Sequence, residues 1–324
     1  MKWVKMTVIL LIMFTLFFSI ANYKLINSYI SVIKQPSKES TEKLRKVIHN
    51  YAIKNNINPI EPKIDKIWKL IPGYNGLVVD EETTLKLAEK QDLQANDKIP
   101  YVWLEIEPKN GIDQLGNHPI YRGNPEKPMV SLMINVAWGT EYLESMLDIL
   151  NKEQVKATFF LDGSWLKKNP DVAKKIAANG HEIGNHAYSH PQMSRISNER
   201  IREEILKTEK LIQQTLNQSS KYFAPPSGDY DLRVVKIAHE LKLHTVLWTV
   251  DTVDWKKPSP ETIINRIVPK VQNGYLILMH PTKSTAEALP TLIREMKKKG
   301  LIISPVKETL SSKRVLSVES SPKF

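Results

Sequence analysis

From Met129 onward, short apolar runs alternate with amphipathic stretches, and this alternation constrains the fold more than any other feature of the 324-residue chain. The runs read as strands at 130–136, 157–161, 181–184, 221–224, 245–249, 275–279 and 301–303. Between them, helical patterns fit 142–151, 171–178, 198–216, 231–241, 260–268 and 287–299. Such alternation builds a parallel sheet with crossover helices, and seven strands predict a relative of the eight-stranded α/β barrel. Nearly all the polar motifs fall just past the C-terminal ends of strands, the face on which such barrels place their sites.

The N-terminal part has a different texture. Lys2 and Lys5 precede an uncharged apolar run from Met6 to Ala21, the order of an export signal. The run is shorter than the roughly 20 residues of a membrane span. Ser19-Ile20-Ala21 offers a small-residue cleavage site, so residues 1–22 read as either a cleaved signal or a retained membrane anchor. Residues 23–107 read as a small α+β module, with helices at 41–53, 65–70 and 81–90 and strands at 76–80 and 101–106. Its role is partner or glycan binding, or that of a spacer. Prolines and glycines mark 108–128 as a linker, leaving 129–310 as the main domain and 311–324 as a tail. The chain has no cysteine, which excludes intrachain disulfides. Its formal net charge is +11; from residue 290 onward, eight Lys or Arg face three Glu, as on a solvated helix face. No basic stripe interleaved with aromatics accompanies the charge, which argues against a nucleic-acid partner.

Two parts of a metal hydrolase site are legible. His186 and His190 are spaced so that two imidazoles could face one ion from a single helical turn. Catalytic zinc usually takes three protein ligands and keeps one position for water, so a third ligand is required. The strand at 130–136 should supply it from the loop that follows, yet that loop reads Ala137-Trp138-Gly139, without a carboxylate. Further on come Asp251-Thr-Val-Asp254-Trp255 and Leu278-Met-His280. The plainer alternatives are a structural histidine pair, two aspartates capping a loop and a core tryptophan.

The segments Lys156-Ala-Thr-Phe-Phe-Leu161, Gly180-His-Glu-Ile-Gly-Asn-His186 with His190-Pro191, Phe223-Ala-Pro225-Pro226-Ser-Gly228, Asp251 to Trp255, and Leu278 to His280 share one order and spacing. In both respects the stretch from about 130 to 303 resembles the NodB-homology domain of polysaccharide deacetylases, carbohydrate esterase family four. The N-terminal module and the Tyr121-Arg-Gly-Asn-Pro-Glu-Lys127 run are similar to a sporulation-associated branch of that family. The resemblance implies a distorted (β/α)7 barrel, preceded by the α+β module and the N-terminal signal or anchor helix. It also implies a divalent metal, zinc or cobalt, and N-acetylated polysaccharide such as peptidoglycan as partner, with the membrane as a second partner if the N-terminus stays uncleaved.

Residue by residue, the resemblance makes His186 and His190 metal ligands, His280 the general acid and Asp254 the residue that tunes it. Trp255, Leu278 and Pro225 become substrate-binding positions. Active relatives carry Thr-Phe-Asp-Asp where this chain has Asn135-Val136-Ala137-Trp138. The base is therefore replaced by Ala137, the metal carboxylate by Trp138 and the base-orienting arginine by Ala224. Neither alanine nor indole accepts a proton as a carboxylate does, so metal binding is expected to be weak and hydrolysis weak or absent. Glu141 and Asp162 are possible substitute carboxylates, and more plainly a loop residue and a strand-end turn residue. Trp138 either fills the space of the ion or turns outward as a stacking surface for sugar. His49, His118, His239 and His244 receive no role. The readings that follow are a weak deacetylase, a non-catalytic glycan binder and a structural protein of the envelope or spore layer.

Overall fold

The computed structural model describes residues 2–33 and 38–315. They form two compact units, the smaller built from the described residues up to 57 and from 77–104, and the larger from residues 58–76 and the described residues from 105 onward. In the smaller unit, the helices Lys38–Asn55 and Glu81–Lys90 pack through Leu44, Ile48, Ala52, Leu85 and Ala88, joined by Val79 and Ile99. Asp80 caps the second helix by accepting from Thr83 N at 2.9 Å, a contact of about 1 kcal/mol. The N-terminal run lies in the helix Lys2–Ile33. Among the described residues no helix is long and apolar enough to cross a membrane. Most of the expected tail, residues 316–324, lies outside the described residues.

The larger unit is the expected barrel. Its strands are β1 (Met129–Val136), β2 (Thr158–Leu161), β3 (Glu182–Asn185), β4 (Tyr222–Phe223), β5 (His244–Thr245), β6 (Val250–Asp251), β7 (Leu276–Met279) and β8 (Ile302–Ile303). They pair in the order β6-β7-β1-β2-β3-β4-β5, all parallel, with β8 also on β1. The main helices between them are α1 (Thr140–Lys152), α2 (Gly163–Lys168), α3 (Pro170–Ala178), α4 (Asn198–Leu216), α5 (Leu232–Glu240), α6 (Pro260–Ile267) and α7 (Lys283–Lys298). All eight residues of β1 are buried. Because side chains alternate along a strand, Val130, Leu132, Ile134 and Val136 join the layer under the helices, whereas Met133 joins Phe160, Leu276 and Val246 inside the barrel. Ser131 and Asn135 share the inward parity, Ser131 donating to Thr309 Oγ1 at 2.7 Å.

Three expectations need correction. The strand expected at 245–249 is split into β5 and β6, which do not pair with each other, so the sheet has a seam. The segment expected to be a linker fills it. Ile120 N donates to Thr245 O at 2.9 Å, Leu247 N to Ile120 O at 2.8 Å, and Gly123 N to Gly274 O at 2.7 Å, while the Ile120 side chain is fully buried. Residues 108–128 are thus part of the larger unit, since the backbone edges at the seam need partners. The stretch expected as a helix at 65–70 is instead the antiparallel pair Lys63–Asp65 and Lys69–Ile71. Asp65 Oδ1 accepts from both Ile67 N and Trp68 N at 2.8 Å, and this local side-chain turn outcompetes the helix.

His181, at the start of β3, is buried, and its Nδ1 accepts from Ala157 N at 3.1 Å. Burial pushes the imidazole down to about 4. A depressed histidine is neutral in the fold but takes up a proton in the unfolded chain, so its contribution to stability is present above the unfolded value near 6.5 and is lost as pH falls toward 4. Melting followed from pH 7 to 4.5 should show a loss of up to roughly 2 kcal/mol from this group. His181→Asn should lower stability at pH 7 and flatten that acid slope. An unchanged slope in the variant would contradict the assignment.

Candidate functional site

The C-terminal ends of β1, β3, β6 and β7 converge on a cavity of about 390 Å³. Asn135, Trp138, His190, Ser227, Trp248, Asp251, Trp255, Leu278 and His280 line it. Of the positions expected to bind substrate, Trp255 and Leu278 are therefore present in the wall. Pro225 is buried and does not line the cavity; Ser227 and Trp248, further along, take its place. Asn135, Ser227 and Trp248 were not singled out from sequence. The inward parity of Asn135 with Met133 was the available signal for the first.

His186 and His190 come together, with ring centroids 5.1 Å apart, but not from a helical turn. His186 follows the end of β3, and Ala187 and His190 adopt left-handed backbone with φ of 60° and 55°. A buried glutamate on α4 holds this loop: Glu204 accepts from Tyr188 N at 2.8 Å and from Ser189 N and Oγ at 2.7 Å. Asn185 adds a second brace, its Oδ1 accepting from Ala187 N at 2.9 Å. His186 Nδ1 donates to Ala224 O at 2.7 Å, which fixes the tautomer and leaves the lone pair on Nε2. Burial, aided by the neighbouring His190, pushes His186 down to about 3, so the ring stays neutral.

Opposite stands the His280–Asp254 pair. Asp254 is fully buried and satisfied: its Oδ1 accepts from His280 Nδ1 at 2.8 Å, and its Oδ2 from His280 N and Thr285 Oγ1, each at 2.6 Å. The turn that presents it is strained, since Val253 is β-branched yet has φ of 56°. Asp251 stabilises that turn by accepting from Val253 N at 2.7 Å. Removing the Asp254 carboxylate would leave the buried Thr285 hydroxyl and two part-buried donors of His280 without a partner, a loss on the order of 3 kcal/mol.

Trp138 stacks on the His280 ring, with centroids 5.6 Å apart and ring planes inclined by 10°. Gly139 makes this approach possible. Its φ is 76°, and a Cβ there would sit 2.0 Å from Pro281 O. The indole is 44% exposed, so it faces outward at the cavity mouth rather than filling the core. Gly228 acts similarly for Trp248, whose Cη2 would lie 2.7 Å from an added Cβ.

The donor set does not fit a resident metal ion. His186 and His190 supply two nitrogens, the residue expected from the resemblance at the third position is the indole of Trp138, and among the described residues no group of three or more His, Asp or Glu could hold an ion. Neither alternative carboxylate changes this. Glu141 is exposed in the first turn of α1. Asp162 caps α2, its Oδ1 accepting from Trp165 N at 2.9 Å and Ser164 Oγ at 2.6 Å, while its buried Oδ2 has no partner and burial raises its pKa. Protein dialysed against a mild chelator should therefore retain well under one zinc per chain and melt at an unchanged temperature. Stoichiometric retained zinc would contradict this, and its loss in Asp162→Asn would identify Asp162 as a third ligand.

The profile of the polysaccharide deacetylase family matches residues 122–246. The uncharacterized protein YlxY of Bacillus subtilis is 45% identical over 318 residues, covering 97% of this chain and 99% of its own length. A peptidoglycan-N-acetylglucosamine deacetylase of Bacillus cereus is 36% identical over 185 residues, 56% of this chain and 67% of its own. The solved structure of BA3943 from Bacillus anthracis, described as a CE4 family pseudoenzyme, is 44% identical, with a TM-score of 0.77 over 84% of this chain and 96% of that one. A mutant of BA3943, described as having restored enzymatic activity, is 43% identical with the same TM-score, covering 84% of this chain and 99% of its own. The chain belongs to the polysaccharide deacetylase family, carbohydrate esterase family four.

Proposed function

We propose that this protein is an exported relative of the peptidoglycan deacetylases that recognises N-acetylated glycan at the cell wall or spore envelope, with weak or absent N-deacetylation. One observation carries the reading. The cavity, the histidine pair and the His280–Asp254 pair are assembled, while the positions of the two carboxylates hold Ala137 and Trp138. Loss of a positioned base alone costs on the order of 10²–10⁴ in rate, and loss of a metal carboxylate removes the ion that would activate water. Ala224 adds to this, because an alanine cannot hold a base in its ionised form. The description of BA3943 as a pseudoenzyme supports the same reading, as do the names of the peptidoglycan-acting relatives. Export is supported by Lys2, Lys5 and the apolar run to Ala21.

A non-catalytic glycan-binding role is the limiting form of this reading, favoured by the outward-facing indoles of Trp138 and Trp255, 44% and 52% exposed. The wild-type protein should release little or no acetate from N-acetylglucosamine oligomers or peptidoglycan, with or without added Zn²⁺ or Co²⁺. Turnover comparable to an active relative would contradict the proposal. Ala137→Asp, Trp138→Asp and Ala224→Arg together should give detectable acetate release in the presence of zinc. The gains should be strongly non-additive, with Ala137→Asp the most useful single change, because base, ligand and orienting group act as a unit. A folded triple variant that binds zinc yet stays inactive on several N-acetylated glycans would show that the groove has diverged, and would favour the structural-protein reading.

A further inference from the structure

We infer that the substitution at Trp138 has given the cleft a new binding element: Trp138 and Trp255 form a sugar-stacking platform, and Asn135 Oδ1 is the acceptor for an acetamido N–H. The inference rests on the glycan reading above and specifies how the cleft holds its ligand. Three observations converge on it. First, Trp138 is exposed but not free to collapse, because one face lies against His280 and the backbone at Gly139 is pressed against Pro281 O. A fixed indole offers apolar area at low entropic cost, and the C–H face of a pyranose is the complementary surface.

Second, Asn135 is 3% exposed and lines the cavity, yet its Oδ1 makes no hydrogen bond within the described residues. A buried amide oxygen without a donor is costly, and since almost none of this oxygen's surface is accessible, a half-turn of the Asn135 amide is what presents it to a ligand N–H that would satisfy it. The strand parity that places Met133 in the barrel interior also places Asn135 below the indole-lined mouth, where a substituent of a stacked ring would enter. Third, no Lys or Arg is among the lining residues, although Lys256 Nζ lies over the Trp255 ring 5.0 Å from its centroid, and Leu278 with the tryptophans supplies the apolar surface an acetyl methyl needs. A de-N-acetylated amine lacks the acetyl methyl that would pack on Leu278 and, although Asp251 in the wall could pair with its charge, brings an ammonium against the apolar faces of the cleft at a desolvation cost. The cleft should therefore discriminate acetylated from deacetylated glycan without converting one into the other.

The test is titration of the full chain with the N-acetylglucosamine tetramer and with the corresponding glucosamine tetramer, followed by calorimetry and by tryptophan fluorescence. The acetylated tetramer should bind at least tenfold tighter than the deacetylated one. Trp138→Ala should weaken it tenfold or more, Trp138→Phe should retain most of the affinity, and Asn135→Leu should reduce the preference for the acetylated ligand. Unchanged melting temperatures keep these comparisons free of folding effects. Wild-type binding that survives Trp138→Ala intact, or that favours the glucosamine tetramer, overturns this inference and leaves the glycan reading standing. Failure of the wild type to bind either the tetramer or N-acetylated peptidoglycan fragments overturns both.

Discussion

The strand Met129–Val136 is the element on which the rest of the structure depends. All eight of its residues are buried, and it pairs with three strands, β2, β7 and β8. Burial on both faces forces its alternating residues into two separate cores and aims its C-terminal end at the cavity. The three residues that most distinguish this cleft, Asn135, Ala137 and Trp138, are consecutive or nearly so along that end. The resemblance to active relatives places two carboxylates where this chain has Ala137 and Trp138, so on that alignment a methyl and an indole at one strand end stand in place of charge while the barrel stays intact.

The loops around the cavity explain why the remaining site persists. Glu204 ties the backbone that presents His190, and Asp254 ties the backbone and ring of His280. Each carboxylate is buried and accepts several hydrogen bonds, so each is costly to remove irrespective of any reaction. Asp254 in particular would be retained for stability even where no proton is transferred through His280. Persistence of the acid-side pair is thus weak evidence for catalysis, whereas an outward-facing indole beside it is evidence for a surface that meets something.

Much of this was legible in the sequence. The strand and helix alternation gave the barrel, since buried parallel strands read as continuous apolar runs. The order of the His, Asp and His motifs located the mouth. What could not be read was long-range. The pairing of Ile120 and Gly123 across the seam involves backbone groups of an irregular segment, which carries no periodic pattern. The histidine pair looked helical by spacing, yet Ala187 and His190 take left-handed conformations that only the braces from Glu204 and Asn185 make tolerable. Pro225 looked like a wall residue, and Ser227 and Trp248 are the wall because the chain turns left-handed at Ser227 and Gly228.

The central claim is that the cleft holds an N-acetylated glycan and leaves it intact. The most direct measurement is a crystal structure of the wild-type protein soaked with the N-acetylglucosamine tetramer, paired with mass spectrometry of the recovered sugar. A pyranose ring should lie over Trp138, with an acetamido nitrogen within hydrogen-bond distance of Asn135 Oδ1 and every acetyl group still present. A recovered deacetylated sugar, or a ligand seated away from Trp138 with Asn135 untouched, would contradict it.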